Sequence, residues 1–142
     1  MDKGKSVMKQ PRKITVDNLA DASQEEVFEH IVWHMLKQGD MSEAGDGTCV
    51  YRAADGKRCA AGSLFTAKQY HDLKIKQYEG ETWWALVNDK LAPLNHANLI
   101  KELQSVHDNG GPDKWSAIFR EIAEREGFSV RVMDHFEKER AQ

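Results

Sequence analysis

The chain has 142 residues, with 20 Lys and Arg against 23 Asp and Glu, a formal charge of −3 and 40% apolar residues. That length fits one domain with one core, and the aliphatic and aromatic content excludes an intrinsically disordered chain. The slight acidity gives neither a strong field for nucleic acid nor the dense carboxylate surface of a DNA mimic. Apolar runs such as Ile31-Val32-Trp33 are only a few residues long and fall far short of the ~20 residues of a membrane span.

The N-terminus, MDKGKSVMKQPRK, carries Lys3, Lys5, Lys9, Arg12 and Lys13 against Asp2 alone, and reads as a flexible basic arm over residues 1–13. No apolar stretch follows it, so it is not a signal peptide, and two cysteines without export predict reduced thiols in a cytoplasm. The arm serves solubility or binds phosphates weakly. A single globular domain is expected over 14–134, followed by a frayed charged tail at 135–142. KITV, residues 13–16, reads as a short entry strand.

Next, ASQEEVFEHIVWHMLKQGD has Ser23 and Glu26 at capping-box spacing and Gly39 as a stop. Val27, Ile31 and Met35 form one apolar row, and Phe28, Val32 and Leu36 its neighbour. TAKQYHDL supports about one helical turn, while KIKQYEG is ambiguous. In ETWWALVNDKL the spacing of Trp84, Val87 and Leu91 predicts a short helix that turns Trp83 toward the surface. NHANLIKELQSVHD reads as a helix with Asn95 as its N-cap and Leu99, Ile100, Leu103 and Val106 inward. PDKWSAIFREIAEREG is a second helix, burying Trp115, Ile118, Phe119 and Ile122. FSVRV alternates as a strand.

CVYRAADGKRCAAGSLF, residues 49–65, reads as a tight hairpin with Gly56 in the left-handed position of a bulged turn. That register sets Tyr51 against Cys59 and Ala53 against Lys57, turns Cys49 and Cys59 inward, and opposes Arg52 to Arg58. Two like charges in that position repel unless a carboxylate or an anionic partner sits between them. The fold class expected is therefore α+β: a mostly helical single domain of four or five helices, a central β-hairpin, and one or two short terminal strands.

Catalytic motifs are sparse. His30 and His34 share a helical face, and with Cys49 and Cys59 they could supply four zinc ligands, although the close Cys-x-x-Cys spacing is absent. His107 and Asp108 are sequence neighbours that point apart on a helix and so make a poor orienting pair. The frame Asp40 to Tyr51 has glycine at the sixth position of a calcium loop, but Ala44 and Tyr51 stand where oxygen ligands are needed. P-loop, dinucleotide and nucleophile-elbow motifs are missing. No cofactor and no metal are expected, and the balance leans away from an enzyme.

Cys-x-Tyr-Arg at Cys49, Tyr51 and Arg52, Asp-Gly-x-x-Cys-Ala-x-Gly at Asp55 to Gly62, Trp83-Trp84 and Leu-Gln-Ser-Val-His-Asp at Leu103 to Asp108 resemble a family of small uncharacterised proteins of tailed bacteriophages and prophages. The likeness spans roughly residues 14–128, and Ser63 stands where a further cysteine is expected. It implies an accessory protein of the host cytoplasm that binds and redirects a host or phage macromolecule, in first place a protein. Arg52, Arg58 and Trp83 are the binding surface expected from the residues. The alternatives are a small metal-dependent enzyme built on His30, His34, Cys49 and Cys59, and a nucleic-acid accessory factor using the basic arm. A homodimer is the default assembly.

Overall fold

The computed structural model describes residues 8–45 and 50–141. Ser23 opens the first helix, α1, over Gln24–Gln38. Its Oγ accepts the Glu26 N–H at 3.1 Å while Glu26 Oε1 accepts the Ser23 N–H at 2.9 Å, which satisfies two of the donors a helix start leaves bare. Gly39 closes the helix at φ 70°, a left-handed conformation that costs glycine nothing. Val27, Ile31 and Met35, with Phe28, Val32 and Leu36 beside them, are buried as two adjacent rows.

Five further helices follow: α2 Ala67–Asp72, α3 Trp83–Asn88, α4 Ala97–Asn109, α5 Trp115–Glu126 and α6 Arg131–Arg140. Single 3-10 turns occupy Leu19–Asp21, Ala61–Leu64, Ile75–Tyr78 and Pro112–Lys114. The central helix is α1, packed against α4, α5, α6 and the Ala61–Leu64 turn. Phe28 meets Phe119 edge to face at 6.4 Å, a geometry that places a ring edge on a π face at the middle of the core. No helix among the described residues is long and apolar enough to cross a membrane.

The chain is helical, not α+β, and the described residues contain no strand. The expected central hairpin is instead a turn closed by one isolated antiparallel bridge, Arg52 to Arg58. Its register is the bulged one, with Ala53 N–H on the Lys57 carbonyl at 2.8 Å and Cys59 N–H on that of Tyr51 at 3.4 Å, and Gly56 at φ 89°. A ladder cannot extend because other groups have taken its donors. Glu79 accepts the N–H groups of Tyr51 and Arg52, Gln38 accepts that of Arg58, and Ser63 N–H binds the Cys59 carbonyl.

Neither terminal strand forms. Ile14 is buried, and its N–H donates to a histidine ring while Val16 N–H donates to Leu64, so KITV is bonded to two helical elements. FSVRV leads directly into α6, which continues to Arg140 through the segment expected to fray. Arg120 of α5 holds that helix through Asp134 and Glu137.

Three smaller expectations also change. Trp83 is buried at 3% exposure against Phe65, while Trp84 is only partly covered. The reason is length: α3 stops at Asn88 and Lys90 turns left-handed at φ 63°, so Leu91 leaves the stripe, which becomes Trp83 and Leu86. The N-cap of α4 is His96, at φ 67°, rather than Asn95, and its ring binds the Ala22 carbonyl at 2.8 Å. Ile118 of α5 is only partly buried.

Candidate functional site

The Arg52–Arg58 bridge is a pair whose N–H groups point away from each other, because the flanking bonds join Ala53 to Lys57 and Cys59 to Tyr51. Side chains of such a pair leave the backbone on one face, and the Arg52 charge lies near enough to act on Arg58. Burial first, and then the Arg52 charge, act against the charged form of Arg58. Neither arginine has a carboxylate partner among the described residues.

The backbone of Arg58 is held unusually firmly. Its N–H donates to Gln38 Oε1 at 2.9 Å, and its carbonyl accepts from Gln38 Nε2 and from His34 Nε2, each at 2.8 Å. Its guanidinium, by contrast, meets only the His34 ring among the described residues, Nη2 to Nδ1 at 3.5 Å. Both histidines of α1 are neutral. His30 Nδ1 accepts the Ile14 N–H at 3.2 Å, leaving Nε2 to donate to Ser63 at 3.0 Å. Burial pushes both rings below the usual histidine range, His34 to about 4.

These groups open onto a cleft of about 410 Å³ between the arm, α1 and the turn, lined by Lys13, His30, Trp33, His34, Lys37 and Arg58 together with Gln10, Pro11, Gln38 and Gly56. Among the described residues no carboxylate lines it. Lys13 and Lys37 are exposed and, like Arg58, have no ion-pair partner among the described residues. Such a concave, positive, half-covered space suits an oxyanion, because a guanidinium can give an oxyanion two parallel hydrogen bonds.

A second pocket, of about 300 Å³, lies between Tyr51, Trp83, Gln104 and Asp108. Several of its polar groups are engaged by the protein. Glu79 takes Tyr51 N–H, Arg52 N–H and the Tyr70 hydroxyl, while Asp108 Oδ1 takes Gln104 Nε2 and His107 Nδ1 at 2.8 and 2.9 Å. His107 and Asp108 therefore do meet, contrary to the expectation from helix geometry. The pair braces structure, because the remaining ring nitrogen of the buried His107 accepts the Ser42 N–H at 3.1 Å and is not available as a base.

The structure brings together Arg52 and Arg58 but separates Trp83 from them, inside the core. Its indole N–H is buried without a partner. Cys59 is buried, its Sγ accepting the Gly62 N–H at 3.3 Å, and burial pushes the thiol up to about 12, far from a nucleophile. Cys49 lies outside the described residues. His30 and His34 direct their N–H groups to backbone carbonyls, and no cluster of three or more candidate metal ligands occurs among the described residues. Of the arm, Lys3 and Lys5 lie outside the described residues, and Arg12 is paired with Glu26 at 3.2 Å.

The sequence gives no signal that Lys37 and Trp33 line this cleft. Lys13 is legible only as part of the basic arm with its weak phosphate binding, and the opposed arginines as a like-charge pair in want of an anion. Comparisons with protein-family models, curated proteins and solved structures return no match.

Proposed function

We propose that this chain is a binding domain that engages an oxyanion of its partner in the cleft between the arm, α1 and the Arg52–Arg58 turn. Arg58 is the anchor, Lys13 and Lys37 add charge, and the neutral rings of His30 and His34 form the floor. One observation carries the reading: three side-chain hydrogen bonds fix the backbone of Arg58, while its guanidinium has no carboxylate among the described residues. Fixing a charged group before its partner arrives lowers the ordering cost of binding.

The test is thermal stabilisation by anions. Anything that binds the folded state alone raises the unfolding midpoint by mass action. Inorganic phosphate and an acidic peptide, each compared with chloride at equal ionic strength, are titrated into the wild type and into Arg58→Gln. The expected result is a rise in the wild type that Arg58→Gln lacks. Equal responses in the two proteins would remove the cleft from consideration.

A further inference from the structure

Resting on the reading of the cleft as an anion site, we propose that its ligand is the terminal phosphate of a nucleotide, free or at the 5′ end of a strand, with the base lying beside Trp33. The positive charge here is local. Neighbouring cations on the rim are already neutralised: Arg12 by Glu26 at 3.2 Å, and Lys57 by Asp40 and Asp55 at 3.2 and 3.3 Å. What remains among the described residues is Lys13, Lys37 and Arg58, three cations facing one space without an acid.

A carboxylate brings one charge and two oxygens, which leaves such a cluster under-neutralised. A phosphate monoester brings about −1.5 to −2 and three strong acceptor oxygens, which fits three cations. A phosphodiester backbone carries one charge per link and is bound by cations spread along a track. The paired rim residues interrupt any such track, and the chain as a whole is acidic, with a formal charge of −3.

The cleft also has room for more than phosphate, at about 410 Å³. Its remaining walls are Gln10, Gln38 and Gly56 together with Pro11, Trp33 and two uncharged imidazoles, the last four offering planar, weakly polar surfaces that suit a planar base. Trp33 touches His135 and Phe136 through its ring, and its indole N–H has no protein acceptor among the described residues.

Calorimetry and fluorescence anisotropy at physiological salt test this with four probes: adenosine monophosphate, a short 5′-phosphorylated oligonucleotide, the same strand ending in 5′-hydroxyl, and a phosphoserine peptide. Each is measured on wild type, Arg58→Lys and Lys37→Glu, with circular dichroism confirming the fold of each variant. The 5′-phosphate should tighten strand binding by about tenfold or more, and Arg58→Lys, which keeps the charge and loses the fork, should cost about the same factor. A mononucleotide that binds as tightly as the strand identifies the free nucleotide as the source; a tighter strand identifies the strand end.

Equal binding of the phosphorylated and hydroxyl strands would overturn the terminal-phosphate assignment and leave the anion reading standing. Binding of the phosphopeptide alone would overturn the nucleotide in the same way. If no probe binds and inorganic phosphate also fails to stabilise the protein, the assignment and the cleft reading fall together.

Discussion

Arg58 and Arg120 are both partly buried, yet the fold treats them oppositely. Arg120 donates to Asp134 at 2.5 Å and to both oxygens of Glu137 at 2.5 and 3.1 Å, and Ser116 adds a further bond to Glu137. Those bonds push the Arg120 pKa above its usual value, whereas burial and Arg52 act on Arg58 in the other direction. One arginine fastens α5 to α6 and is neutralised by the protein; the other is fastened by its own backbone and has no carboxylate partner among the described residues. A chain with 23 acidic residues had carboxylates to spare, so position rather than supply leaves Arg58 unpaired.

The largest effect should come from breaking the platform beneath the turn. A Cβ at Gly62 would lie 2.0 Å from the Tyr51 carbonyl oxygen, a backbone atom that cannot swing aside. Gly62→Ala should therefore destabilise the domain by about 3 kcal/mol, the upper range for overpacking, read from urea unfolding. A loss below about 1 kcal/mol would show that the Ala61–Leu64 turn yields, and that Arg58 is less rigidly placed than its hydrogen bonds indicate.

Acid should act next. His30 and His34 are held neutral in the fold, His34 with a pKa of about 4 against about 6.5 when unfolded. Between those values the unfolded chain binds more protons, so stability is complete above about pH 6.5 and falls as pH drops toward 4. From pH 7 to pH 5 the His34 contribution should shrink by about 2 kcal/mol. His34→Gln should flatten that slope in denaturant titrations at the two pH values; an unchanged slope would place the acid sensitivity elsewhere.

The direct comparison is smaller. Arg120→Ala should cost about 1 kcal/mol, since its ion pairs are a third exposed and screened by solvent. Arg58→Ala should stay within about 0.5 kcal/mol of wild type, because it removes a like-charge neighbour along with its contacts. Equal losses in thermal or urea unfolding would make Arg58 a structural residue. Smallest of all, iodoacetamide should label Cys59 only as fast as the folded domain opens, as read by mass spectrometry of its peptide. Rapid labelling would contradict its burial beneath the turn.

The sequence is most legible where a local rule and tertiary packing agree. The capping box and double apolar row of α1 define that helix without reference to anything distant, and the Asp55-Gly56 pair sets the register of the turn. It misleads where a short segment satisfies two patterns. FSVRV alternates, but Val132 lies in α6 and the run is too short to exclude a helix start. In α3 two turns of helix leave the buried face to be decided by Phe65, which claims Trp83. The cleft is harder still, because Lys13, Lys37 and Arg58 come from three separate segments, and nothing local says that Glu79 and Gln38 will claim the donors a strand would have used.

Gln38 has a further consequence. Its side-chain amide binds both the N–H and the carbonyl of Arg58, so it stands where the peptide group of a neighbouring strand would stand. The turn is thus moored to α1 chiefly by a residue that a single nucleotide change can replace. Descendants of this chain could uncouple the turn from the helix, and with it the spacing of the three cations, while the core remained intact. The geometry of the cleft is therefore among the properties of this domain most open to evolutionary retuning.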